Sequence, residues 1–189
     1  MKRLFIAALC GCLVMFTWGG LSHMVLFKGT GFRSLPNEDE LMKTLSENVK
    51  EQGLYLFPGV DFSNHPKEYQ ATWENKFRTG PAGMVIYRPV GGDPFSINKL
   101  ITQFICSFIS VLIATIIVSR ITESYWRRVL LVSTLGIVAC SSVSSIYWNW
   151  YEFPASFFIA QIIDMLVGFF LAGLVICKMI PQPGLVRNV

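Results

Sequence analysis

The chain is predicted to be an α-helical integral membrane protein, a four-helix transmembrane bundle with a small extracytoplasmic α+β insertion between helices 1 and 2. Three observations predict it. Of its 189 residues, 52% are hydrophobic and only 15% are charged, too apolar for an ordinary soluble domain. The apolar residues form four blocks, Leu4 to Phe27, Leu100 to Ser119, Val129 to Trp148 and Ala155 to Cys177, each near the roughly 20 residues that cross a hydrocarbon core about 30 Å thick. The basic residues beside the short connections also fall on one side. Lys2 and Arg3 precede the first block, Arg120, Arg127 and Arg128 lie between the second and third, and Lys178 and Arg187 follow the fourth. Basic residues are retained in the cytoplasm, so both termini are expected inside and residues 28–99 outside. The net charge of +4 is accounted for by this topology, and no nucleic-acid partner is implied.

Residues 1–27 form the first expected helix. Leu9-Cys10-Gly11-Cys12 resembles a lipoprotein cleavage box, but the apolar run continues past it to Phe27, longer than a signal-peptide core, and no A-x-A-like site follows, so the helix is expected to stay uncleaved. Gly11, Met15, Gly19 and His23 recur every fourth residue on one face, and small residues there permit close helix contact. His23 is the one histidine in a span. It reads either as an interfacial imidazole or as a proton-exchanging or ligand-binding side chain. A metal or haem centre would need a second histidine in a span, and His65 belongs to the external segment, so neither metal nor cofactor is expected.

The external segment, 28–99, carries nine basic and nine acidic residues and reads as a solvated mixed-charge unit. Asn37 with Glu40 suggests a capped helix running from Glu38 to Gln52, stopped by Gly53. Leu54 to Phe57 is strand-like, Asn64-His65-Pro66 opens a helix through about Arg78, and Met84 to Tyr87 makes a second strand. Two strands separated by a helix suggest a βαβ crossover. The turn Gly80-Pro81-Ala82-Gly83 lacks the Lys-Ser/Thr ending of a phosphate loop. No disulfide is expected, because Cys10, Cys12, Cys106, Cys140 and Cys177 all lie in spans. A claudin-like plan is set aside because its paired loop cysteines are missing.

Residues 100–189 hold the remaining three helices and a short cytoplasmic tail. Gln103, Ser107, Ser110 and Ala114 share one stripe; Gly136, Cys140 and Ser144 share another, flanked by Ser141 and Ser145; Gln161, Asp164, Gly168 and Ala172 share a third. Asp164 lies nine residues beyond Ala155, so about 13 Å below the end of its helix. A carboxylate at that depth is costly and normally finds a partner inside the bundle. With this topology His23, Gln103, Ser144, Ser145, Gln161 and Asp164 form one polar cluster in the outer half of the bilayer. His23 leans inward and Asp164 outward along their helices, which permits a direct or water-bridged pair. Above them Trp148, Trp150 and Glu152 form a rim, either an aromatic anchor or a ligand-contacting lid, with Glu152 a second candidate partner for His23.

Ser34-Leu35-Pro36-Asn37-Glu38, Gly53 to Gly59, Gly80 to Gly83 and Tyr147 to Tyr151 together resemble motifs of a group of uncharacterised bacterial four-span membrane proteins. The resemblance implies a bacterial inner-membrane location and no activity. No complete catalytic constellation is present. The leading expectation is therefore a non-enzymatic accessory or assembly subunit, with the lipid bilayer and a membrane-protein partner or a second copy as its contacts. The alternative is a small transporter or ligand-binding membrane protein using the polar cluster.

Overall fold

The computed structural model describes residues 1–59 and 67–182. It contains four helices long and apolar enough to cross a membrane, Lys2–Leu26, Ile97–Val118, Tyr125–Trp150 and Ala155–Met179. The chain is a helical multi-pass membrane protein. It divides into two units, one of Met1–Phe32 with the chain from Phe95 onward, the other Arg33–Pro94.

The first unit is the helical bundle. Its first span is α1 (Lys2–Leu21) continued by a π-helical turn, Ser22–Leu26, closed by the Phe27 amide donating to the Ser22 carbonyl at 2.8 Å. The second span is α4 (Ile97–Val118) and the fourth is α7 (Ala155–Met179). Between them the third span comprises α5 (Tyr125–Ala139), a second π-helical turn, Cys140–Ser144, and α6 (Ser145–Trp150). α7 is the centre of the bundle: α5 packs along one side and α1 along another, while α4 packs mainly on α1 and touches α7 and α5 only marginally.

Packing is uneven along the bundle axis. In the half nearest the termini, the terminal half, small and β-branched residues interlock: Ala7, Ala8, Cys12, Val111, Ala114, Val118, Val129, Val132, Ala172 and Ile176 are all buried. Membrane helices associate through such close contacts, because lipid supplies no hydrophobic drive between them. In the opposite, distal half the packing loosens. Every buried residue of α4 lies between Ser107 and Val118, and none of Ile97 to Cys106 is buried. α6 buries nothing. The distal half of α4 is therefore less covered than its terminal half, although Phe104 still packs edge-on against Phe16 of α1.

The terminal end of α7 is closed by two arginines that read in the sequence only as topology signals, and by a tyrosine. Arg3 Nε donates to the Met179 carbonyl at 2.8 Å and Arg128 Nη2 to the Ile180 carbonyl at 3.0 Å. The Tyr125 hydroxyl donates to the Leu174 carbonyl at 3.0 Å. Carbonyls at a helix C-terminus lack intrahelical donors and carry partial negative charge, so guanidinium groups both satisfy and neutralise them. Arg128 is only 1% exposed. It works as a buried cap as well as a positive charge.

The second unit contains α2 (Glu38–Asn48), β1 (Gly53–Phe57), α3 (Lys67–Thr79) and β2 (Gly83–Tyr87). Three sequence expectations are corrected here. The strands pair antiparallel, Gly53 opposite Tyr87 and Phe57 opposite Gly83, so there is no βαβ crossover. A parallel pair would need α3 to carry the chain back to the start of β1. Instead Trp73 Nε1 donates to the Pro58 carbonyl at 3.2 Å and the Tyr69 hydroxyl to the Gly59 carbonyl at 3.3 Å, tying α3 to the exit of β1. Asn37 precedes α2 but makes no side-chain cap; it sits in the left-handed region at φ 52, and the helix start is favoured by the carboxylates of Glu38, Asp39 and Glu40. α2 also ends at Asn48 rather than Gln52, because the β-branched Val49 is extended. The expected opening Asn64-His65-Pro66 lies outside the described residues, as does Arg187.

Candidate functional site

The distal half of the bundle encloses the polar residues. Asp164 lies on α7 with its side chain 8% exposed, and His23 Nε2 approaches its Oδ2 at 3.3 Å. His23 itself is 56% exposed, so a buried carboxylate orients an accessible imidazole. Trp18, one turn before Ser22 on α1, donates its indole N–H to the backbone carbonyl of Asp164 at 3.1 Å. That bond holds α1 and α7 in register at the level of the pair. Asp164 Oδ1 and Ser22 Oγ are buried and make no hydrogen bond within the chain.

Both helices that flank α7 carry a π-helical turn at this level. On α1 the turn contains His23; on the third span it begins at Cys140, whose Sγ approaches the Gln161 carbonyl at 3.4 Å. An i to i+5 turn inserts one residue into the helical repeat and rotates everything beyond it. Such turns re-aim side chains at the cost of regular hydrogen bonding, and here they do so on both sides of Gln161 and Asp164.

A cavity of about 590 Å³ opens between α1, α4 and α7, lined by His23, Gln103, Ser107, Gln161 and Asp164 and by an apolar wall including Met15, Phe16, Trp18, Leu100 and Met165. Gly19 and Gly20 also line it, and a Cβ built on either would meet no atom within 4 Å. These glycines make room. Two further cavities adjoin. One of about 410 Å³ shares His23 and Gln161 and lies under the Gly29 to Phe32 loop; one of about 480 Å³ contains Ser110, Ser144 and Gln161. Gln161 borders all three. The loop is seated on α7 at Gly31, whose φ is +83 and where an added Cβ would lie 2.7 Å from Phe157 Cβ, leaving no space for a side chain.

Of the residues singled out from the sequence, His23, Gln103, Gln161 and Asp164 line the main cavity. Gln103 Nε2 reaches Ser107 Oγ at 3.5 Å, a long contact that leaves its amide largely uncommitted. The serines of the third span stand apart: Ser144 borders the adjoining cavity, and Ser145 donates to the Ser141 carbonyl of its own helix at 2.6 Å. At the rim, Trp148 stacks on Phe158 with centroids 5.0 Å apart and planes 2° from parallel, a structural contact. Trp150 is exposed, and Glu152 sits in the turn at φ 56 without an ion pair to His23. Sequence reasoning missed Trp18. Its place one turn before Ser22 and His23, on an otherwise small-residue face, was the available signal.

Among the described residues, no three His, Cys, Asp or Glu side chains converge as metal ligands. Comparison with known proteins finds no matching family model, no similar curated protein and no similar solved structure.

Proposed function

We propose that this chain is a small-ligand-binding membrane protein, of the transporter or binding class, whose site is the cavity between α1, α4 and α7. The observation that carries the reading is the contrast between the two halves of the bundle. The terminal half packs small residues against one another, whereas the distal half holds a cavity of about 590 Å³ around a buried acid and an accessible imidazole. Small-molecule sites combine an apolar wall of this size with a few polar groups. An intramembrane ionisable residue that was merely structural would more economically be an amide or a serine.

The test is to fill the cavity without touching the pair. Gly19→Leu and Gly20→Leu extend into open space and replace a helix-interior glycine, which costs roughly 0.5–1 kcal/mol relative to alanine. Both variants should therefore keep or slightly raise the thermal midpoint while losing, by at least about tenfold, a small molecule seen by native mass spectrometry of wild type in nanodiscs. Wild-type protein that carries no such molecule, or variants that retain it, would refute the reading.

A second reading, the accessory or assembly subunit, is supported by the strand pair. Leu54 and Leu56 alternate with Ile86 and Met84 on one face, and Leu54 and Ile86 are 58% and 81% exposed. A stoichiometric protein partner in the same spectra would favour it.

The proposed location is a bacterial inner membrane with both termini cytoplasmic and residues 28–99 extracytoplasmic, supported by the positions of Lys2, Arg3, Arg120, Arg127, Arg128 and Lys178. A reporter active only outside the cytoplasm should work when inserted at Gly91 and fail in the Arg120 to Glu123 connection. The opposite pattern would invert the topology.

A further inference from the structure

Resting on the cavity reading above, we infer that the occupant is a neutral amphiphile with an apolar body and a hydroxyl head, and that His23 is the side chain that reads the head. Asp164 is then a positioning residue.

The assignment follows from which polar atoms are reachable. Asp164 is buried, its Oδ2 is engaged by His23 Nε2, and Oδ1 is enclosed. His23 lies between two cavities and turns its other ring nitrogen, Nδ1, away from the carboxylate. A neutral imidazole has one donor and one acceptor nitrogen, so with its proton on the Nε2 that faces the carboxylate, Nδ1 is left as an acceptor. The other polar groups at this end of the cavity, the amides of Gln103 and Gln161, both donate and accept. A hydroxyl is matched to such a set because it too does both.

Charged heads fit less well. An anion would be placed beside the Asp164 carboxylate with no cation other than His23 to offset it. A cation would have to displace His23 from a carboxylate that is 8% exposed. The remaining wall, with Met15, Phe16, Leu100 and Met165, suits an alkyl or isoprenoid body.

The experiment uses the full chain in phosphatidylcholine nanodiscs and a twelve-carbon primary alcohol bearing a mid-chain diazirine, with its methyl ether, amine and carboxylate as matched probes. The alcohol should label Met15 to Met24, Gln103 to Ser107 and Gln161 to Gly168 saturably. The ether, which cannot donate, should label them roughly tenfold less, the size of one hydrogen bond. His23→Ala should erase the alcohol-over-ether preference, and His23→Gln should keep part of it. Equal labelling by alcohol and ether would overturn hydroxyl recognition while leaving the cavity reading standing. An amine or carboxylate that labels more strongly than the alcohol would overturn the neutral head. Absence of saturable labelling in these segments would overturn both. The alcohol-to-ether ratio on wild type decides the matter even if His23→Ala does not fold.

Discussion

Gly136→Leu is expected to abolish the packed α5–α7 pair and, with it, monodisperse protein in mild detergent. A Cβ at Gly136 would lie 2.6 Å from the Met165 carbonyl oxygen, 2.8 Å from its carbon and 3.0 Å from the Leu166 nitrogen. All three are backbone atoms of α7, which cannot rotate aside. Ordinary contact begins at 3.4 Å, so even alanine requires the two helices to part by about 0.8 Å, and overpacking of that kind typically costs about 1–3 kcal/mol. Leucine adds three more carbons along the same vector. Both α1 and α5 pack on α7, so the loss propagates.

The glycines make this a graded test. At Gly11 the added Cβ would meet Ile176 Cγ2 at 2.7 Å and Val111 Cγ1 at 3.0 Å, side chains that can give; at Gly168 the nearest atom is Trp18 Cδ1 at 3.4 Å; at Gly19 there is nothing. Alanine should therefore lower the thermal midpoint most at Gly136, less at Gly11 and little at Gly168, and raise it slightly at Gly19, where only the conformational advantage of alanine remains. A series that follows helix propensity alone, with all four substitutions stabilising, would show that close α5–α7 contact does not hold the fold.

That gradation marks the boundary of what the sequence made legible. Four spans could be read from block hydropathy because lipid imposes a length and a composition. The stripe containing Gly136 and Cys140 and the stripe containing Gln161 and Asp164 could be read from fourfold spacing, and both do face neighbouring helices in the bundle. Which glycine is pressed against backbone and which against space could not be read, because it depends on helix separation to within half an ångström. The π-helical turns at Ser22–Leu26 and Cys140–Ser144 were also out of reach. They differ from α-helix by one hydrogen-bond register. Ser144 borders a different cavity from Asp164 because the third span packs on another side of α7 from α1, and depth alone had placed the two residues together. Arg128 was hidden for another reason: topology accounts for a basic residue beside a span so readily that nothing in the sequence asked whether its side chain was buried.

The acid and the imidazole should respond unequally to removal. Deleting the imidazole in His23→Ala leaves a carboxyl group that is 8% exposed, with Oδ1 already lacking a partner and Oδ2 now losing its own. Breaking the contact from that side is the costlier choice, about 1–3 kcal/mol, because the buried partner is the one left unsatisfied. Asp164→Asn removes the charge instead and leaves an exposed imidazole that water or headgroups can satisfy; the Trp18 bond goes to the backbone carbonyl and survives. Its cost should be within about 1 kcal/mol of zero, and the double variant should resemble Asp164→Asn rather than the sum of the two. Their coupling should then be favourable and clearly above the roughly 0.6 kcal/mol average for hydrogen-bonded pairs inside membrane bundles. If Asp164→Asn is near neutral for stability yet loses the retained molecule, the acid is kept for what it does to His23 and not for what it adds to the fold. If Asp164→Asn unfolds the protein while His23→Ala is silent, Asp164 is held by the bundle without reference to His23, and the pair is structural glue.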